Sequence, residues 1–173
     1  MNIRYAKQSE FNDVVSFYYG LIDSMRGAEY RPRWEKDIYP ARQFIYDSIE
    51  RNELYVAVID GEIISAAVIN HDCAEGYEKA SWKIDAGGDQ IAVIHILAVS
   101  SRYQNKGIAK KMVSYIIETS KKNGMKAIRL DVLAANKPAH RLYISMGFIC
   151  IDTIKLFYED TGLTEFSLYE LVL

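Results

Sequence analysis

Apolar and polar positions along the 173-residue chain recur with two different periods, and the switches between them mark the elements. Phe11, Val14, Val15, Tyr18, Ile22 and Met25 fall at helical spacing, with Ser9 placed to cap the start and Gly27 to end the helix. Ahead of them, Ile3 to Ala6 reads as a short strand. Phe44, Ile45 and Ile49 mark one face of a second helix, which Pro40 can open. Leu54 to Ile59 and Ile63 to Ile69 read as strands joined at Asp60-Gly61, a two-residue hairpin signal. Ile91 to Val99 is apolar at every position except His95, as expected of a central strand covered on both faces.

Helical spacing returns with Ile108, Met112, Val113, Ile116 and Ile117, bounded by Gly107 and Gly124. Ile128, Leu130 and Val132 then alternate with Arg129 and Asp131, the pattern of a fifth strand. From Asn136 to Met146 the side chains of Ala139, Leu142, Tyr143 and Met146 share one side of a helix that Gly147 caps. Phe148 to Tyr158 and Glu165 to Leu173 form a strand pair around Thr161-Gly162. The polar stretch from His71 to Asp89 is long for a plain turn, which predicts a functional loop with a short strand near Trp82. The order β-α-α-β-β-β-α-β-α-β-β predicts an α/β or α+β fold with a mixed sheet. No repeat or linker interrupts it, so residues 1–173 are expected to form a single domain.

Composition removes several functions. Twenty-one Lys and Arg against 23 Asp and Glu give a formal net charge of −2, so bulk nucleic-acid binding is not expected. Cys73 and Cys150 are too few for a disulfide framework, and His71, His95 and His140 lack metal-ligand spacing, so no metal is expected. The longest apolar run is too short to span a bilayer, and the polar N-terminus lacks a signal-peptide core. These features predict a cytoplasmic protein without a membrane partner.

The chemistry concentrates between Leu97 and Ala109. A buried strand ends, a polar loop follows, and a helix begins at Gly107. The first turn of a helix carries amide groups without intrahelical partners and the positive end of the helix dipole. Gly107 and Ala109 leave room for a phosphate, and Arg102, Lys106, Lys110 and Lys111 make the segment basic. The phosphate-binding Gly-Lys-Ser/Thr triplet and the dinucleotide Gly-x-Gly-x-x-Gly pattern are both absent. Two readings stand: an anion site, or an ordinary turn into a solvated basic helix.

Gln104-x-x-Gly107-x-Ala109 resembles the Gln/Arg-x-x-Gly-x-Gly/Ala signature of the GNAT superfamily, the acyl-CoA-dependent N-acetyltransferases. Leu97 and Val99 before it, and Leu130-Asp131-Val132 and Asn136-x-x-Ala139-x-x-Leu142-Tyr143-x-x-x-Gly147-Phe148 after it, follow the same family's order and spacing. The resemblance covers Ile91 to Phe148 and extends through element order to the whole chain. It implies a mixed, mostly antiparallel central sheet flanked by helices, with the fourth and fifth strands splayed apart. It also implies acetyl-CoA as co-substrate, with the pyrophosphate on the amides of Gln104, Asn105, Lys106, Gly107, Ile108 and Ala109. Lys106 and Lys110 would face coenzyme phosphates. The pantetheine arm would lie along Leu97 and Val99, one of whose amides would polarise the thioester carbonyl. The acetyl group would pass directly to a primary amine in a ternary complex. A small-molecule amine is the expected acceptor; a protein amine, or a coenzyme A-binding module without catalysis, are the alternatives. A homodimer is compatible with the family.

Three side chains carry a structural and a chemical reading together. Asn136 is placed to cap its helix, and the resemblance adds contact with the coenzyme. Tyr143 lies on an apolar stripe, and the resemblance makes its hydroxyl the general acid for the departing thiolate. His95 is either a hydrogen-bonded core residue or a base for the incoming amine, since 95, 97 and 99 share a face of an unbulged strand. His140, beside Tyr143, reads as a surface residue. The acidic stretch His71–Asp89 and the C-terminal Asp152, Glu159, Asp160, Glu165 and Glu170, with Tyr18, Tyr19, Tyr30, Trp34 and Tyr39, are either solvated loops and core aromatics or walls for a cationic amine.

Overall fold

The computed structural model describes residues 1–27 and 32–173; Tyr30 lies outside the described residues. Seven strands form one sheet: β1 (Asn2–Tyr5), β2 (Leu54–Ile59), β3 (Glu62–Asn70), β4 (Ile91–Val99), β5 (Ala127–Leu133), β6 (Ile149–Tyr158) and β7 (Gly162–Val172). Their spatial order is β1-β2-β3-β4-β5-β7-β6. Every neighbouring pair is antiparallel except β4 and β5. That parallel pair is bonded only from Ile91↔Ala127 to Val93↔Arg129, although both strands run on for several residues. The fold is the mixed sheet that the element order predicted, mostly antiparallel and with the splayed β4/β5 pair that the family resemblance implied.

Helices α1 (Phe11–Ser24) and α2 (Arg42–Glu50) cover one face. Val14, Val15, Tyr18, Leu21, Ile45 and Ile49 pack there on Leu54, Val56, Val68, Ile96 and Ala98. Helices α3 (Ile108–Lys122) and α4 (Lys137–Ser145) cover the other face, where Ile108, Met112, Val113, Ile116 and Tyr143 meet Ile94, Ile128, Leu130 and Val132. Apolar area removed from water on both faces explains why β4 reads as an apolar run broken only by His95.

Three local expectations are corrected. Ser9 does not cap α1: a short helical turn, Gln8–Glu10, comes first, and the Glu10 carboxylate accepts from the Lys7 amide (2.8 Å) while pairing with Arg4 (2.7 Å). That pairing holds the Glu10 carboxyl down at about 2. Pro40 does not open α2, which begins two residues later with Ala41 as its N-cap. No strand forms near Trp82. Its indole donates to the Tyr77 carbonyl (2.8 Å), and the surrounding backbone closes into turns, Trp82 on Ala80 (3.0 Å) and Ala80 on Tyr77 (3.2 Å).

The segment between β3 and β4 is instead latched by a buried ion pair. Arg129 Nε donates to Glu170 Oε1 (2.9 Å), the other Glu170 oxygen accepts from the Lys83 amide (2.7 Å), and Arg129 also reaches the Ile84 carbonyl (3.0 Å). The guanidinium lies 4.2 Å from the centre of the Trp82 ring. Among the described residues no helix is long and apolar enough to cross a membrane, and no group of His, Cys, Asp and Glu is arranged to hold a metal.

Candidate active site

Beyond Val93, β4 parts from β5 and its backbone bulges. The register with β3 passes from Ala66↔Ala98 to Val68↔His95, so β4 carries one extra residue there. Ile96 sits at φ 45°, a left-handed conformation that costs a β-branched residue energy and needs support. Tyr18, fully buried in α1, supplies it by donating its hydroxyl to the Ile96 carbonyl (3.0 Å).

The bulge corrects the expected placement of His95. Leu97 and Val99 pack toward the α3–α4 core. The His95 ring instead lies 6.3 Å from Phe44 of α2, on the opposite face. Its Nε2 is 2.8 Å from Asn70 Oδ1. The Asn70 amide is fixed by Asp72, whose carboxylate accepts from Asn70 Nδ2 and whose amide donates to Asn70 Oδ1 (3.0 Å each). Oδ1 therefore faces His95 as an acceptor, so Nε2 carries the proton and Nδ1 is the basic nitrogen. Burial pushes the imidazole down to about 4, against the Asp72 charge, so it is neutral near pH 7.

Past Val99, a turn at Ser101–Tyr103 leads into the loop that starts α3. Asn105 and Gly107 are both left-handed, at φ 59° and 76°. The positive φ is what favours glycine at 107, not crowding, since a Cβ there would meet nothing within 4 Å. Gln104 returns its side-chain amide to the Val99 carbonyl (3.3 Å), tying the loop to the strand end. A groove of about 830 Å³ runs along Leu97, Val99, Gln104, Asn105, Gly107 to Lys110 and across to Asn136 and Leu142. Lys106 does not line it; its ammonium lies 5.2 Å from the centre of the Tyr103 ring. Asn136 caps α4, accepting from the Ala139 amide (3.3 Å).

Trp34, Leu97, Asn136 and Ala139 also line a second, smaller cavity of about 120 Å³, so the two spaces share a wall. This cavity brings together His95, Tyr143, Asp131, Tyr39 and Tyr158. Tyr143 packs its ring on Phe148 (centroids 5.4 Å apart), and its hydroxyl makes no hydrogen bond to another described residue. Burial, then the Asp131 charge, hold that hydroxyl above the ordinary tyrosine range, so it keeps its proton at neutral pH. His140 is not a plain surface residue: it is half-buried, with Nδ1 2.7 Å from the Tyr169 hydroxyl and Nε2 3.1 Å from the Ala134 carbonyl.

Asp131 is the residue that sequence reasoning missed. It reads as the polar half of an alternating strand, yet it lines the cavity and accepts at Oδ2 from both Tyr77 and Tyr158 hydroxyls (2.8 Å each). Burial raises its carboxyl, and the two tyrosine bonds only partly oppose that. An acidic residue in a strand of a mixed sheet, both of whose neighbours in the pattern are buried, is the signal available in the sequence.

Of the residues read either as core and solvated loops or as walls for a cationic amine, only some reach the cavity. Trp34, Tyr39 and Asp160 line the cavity, whereas Tyr18 is core, Tyr19 is bonded to Asp37, and Glu170 is held by Arg129. From the His71–Asp89 segment, Tyr77 reaches the site's carboxylate.

Residues 20–148 match the sequence profile described as the acetyltransferase (GNAT) family. The N-acetylaspartate synthetase of Xenopus tropicalis is 30% identical over 94 residues, 54% of this chain and 30% of its own length. The N-alpha-acetyltransferase 30 of Saccharomyces cerevisiae is 36% identical over 69 residues, 40% of this chain and 39% of its own length. These matches therefore span less than half the length of either relative. The fold is shared with yncA of Salmonella typhimurium, solved with its cofactor acetyl-CoA: TM-score 0.72 at 17% identity, covering 100% of this chain and 94% of that one.

Proposed function

Because the chain belongs to the acetyltransferase (GNAT) family, we propose that it moves the acetyl group of acetyl-CoA directly to the primary amine of a small molecule. One observation supports the reading above others: a groove that starts at the first turn of α3 shares the wall of Leu97, Asn136 and Ala139 with a small cavity holding Tyr143, Asp131 and His95. The first-turn amides from Gln104 to Ala109 and the Lys110 ammonium take the coenzyme phosphates. The pantetheine arm lies along the unpaired side of β4 at Leu97 and Val99, and an amide there donates to the thioester oxygen as charge builds on it.

In the reaction, the amine nitrogen attacks the thioester carbon and the carbon–sulfur bond breaks. The electron pair leaves on sulfur, which takes the Tyr143 proton. Before the attack the acceptor ammonium gives one proton to Asp131, whose carboxylate is made more basic by burial, and the second proton, lost as the carbon–nitrogen bond forms, passes through solvent to restore Tyr143. The products are an N-acetyl amine and coenzyme A thiol. A second reading gives the first proton to His95, and its Nε2–H tautomer favours it by leaving Nδ1 as a lone-pair nitrogen. The small volume of the cavity, about 120 Å³, favours a small amine over a peptide.

Calorimetric titration with acetyl-CoA, with adenine nucleotides as controls, followed by thiol release over an amine panel, tests the reading. Saturable binding that needs the whole coenzyme, with amine-dependent thiol release, is expected. No binding at millimolar acetyl-CoA overturns it.

A further inference from the structure

The acceptor cavity holds a second carboxylate that the acetyl-transfer step does not use. Asp160 lies in the turn between β6 and β7 and lines the cavity. Its Oδ1 is buried with no hydrogen-bond partner, the one such side-chain atom among the described residues. Buried carboxylate oxygens are costly to leave unpaired, and nearly all are bonded in folded proteins. An unpaired one on a cavity wall is explained by a ligand that donates to it.

The surroundings say what kind of donor. Tyr158 stands two residues before Asp160, and its hydroxyl reaches Asp131 (2.8 Å). The Tyr158 ring packs on Tyr39 (centroids 5.6 Å), which packs on Trp34 (6.3 Å), and all three rings line the cavity with the two acids. Both acids act on the hydroxyls of Tyr39 and Tyr158. A cavity walled by aromatic rings and two carboxylates fits a ligand with two cationic groups joined by a short alkyl chain. The basic lining residue Arg33 is exposed, and a carboxylate on the acceptor would meet Asp160.

We propose that Asp160 binds a second ammonium group of the acceptor, so that the preferred substrates are short alkyl diamines. This deepens the acetyl-transfer reading and rests on it. The test uses the full chain with saturating acetyl-CoA and compares diaminobutane, butylamine and aminobutanoic acid by thiol release. The expected kcat/KM for diaminobutane is roughly tenfold or more above that for butylamine, as for one added charge-assisted bond. Asp160→Asn should collapse that ratio, chiefly through KM for the diamine, whereas Glu159→Gln, exposed in the same turn, should preserve it. Equal values for diamine and monoamine, a preference for aminobutanoic acid, or an unchanged ratio in Asp160→Asn would overturn the proposal while leaving acetyl transfer standing. Calorimetry with acetyl-CoA separates the two failures, because absence of coenzyme binding overturns the acetyl-transfer reading and the diamine assignment with it.

Discussion

His95 and Leu97, two residues apart on β4, face opposite sides of the sheet, because the strand gains a residue at Ile96. That one displacement leaves Leu97 on the groove wall while His95 reaches the cavity from the other face. It depends on a buried hydroxyl from α1, since a β-branched residue at φ 45° does not hold itself there.

Tyr18→Phe should therefore act at a distance. The Ile96 carbonyl would lose its donor in a buried setting, at a cost of about 1–3 kcal/mol. Urea unfolding should show that loss, and acetyl-CoA affinity should fall as the bulge relaxes. A variant with wild-type stability and affinity would show that the bulge is held by packing alone.

Tyr143→Phe is expected to behave in the opposite way. The Tyr143 hydroxyl has no protein partner among the described residues, so removing it should leave the melting temperature nearly unchanged. As the proposed acid, its loss should lower kcat about a hundredfold or more, with little change in KM for acetyl-CoA. Equal loss of stability and rate would mark the residue as structural.

How far these residues were legible in the sequence depended on whether local pattern or tertiary pairing set them. The order of strands and helices, and the loop from Gln104 to Ala109, follow from periodicity and from Gly107, which are local. The bulge left no trace, because Ile96 is a poor choice for a positive φ and only Tyr18, 78 residues away, makes it tolerable. Arg129 and Asp131 read as the exposed half of a strand. Both face partners instead, Glu170 for one and the Tyr77 and Tyr158 hydroxyls for the other. Alternation cannot tell a solvated charge from one satisfied by residues distant in the chain. Trp82 misled in the same way, since an aromatic in a polar stretch reads as a strand until its cation partner is seen.

Asp131 should set the acid side of the pH–rate profile. Its carboxyl is raised by burial, so the folded chain holds that proton to higher pH than the unfolded chain does. A proton-accepting carboxylate is present only above the raised value, so kcat/KM should fall as pH drops through it. Asp131→Asn should remove that limb and lower the rate. The same sign makes the buried carboxylate a cost to stability that grows as pH rises from the ordinary carboxylate range through the raised value. Asp131→Asn should then be as stable as the native chain, or more so, at neutral pH. If the limb survives in Asp131→Asn and vanishes in His95→Gln, the base is His95.

The Arg129–Glu170 pair gives the largest expected loss of stability. The Glu170 side chain is fully enclosed and that of Arg129 is 9% exposed, so neither can turn to water when the other is removed. Glu170→Ala strands the guanidinium and leaves the Lys83 amide without its acceptor. Breaking one half of such a pair costs roughly 3–5 kcal/mol. Replacing both, as Arg129→Met with Glu170→Leu, should cost much less, because no uncompensated charge remains. Urea unfolding of the single and double variants checks the order. Trp82 fluorescence should change in both, because the ring loses the guanidinium over it when Arg129 is replaced and its fixed position when Glu170 is. A single variant no less stable than the double would mean that water reaches the pair, and that the segment from His71 to Asp89 is held by the Tyr77 and Trp82 contacts instead.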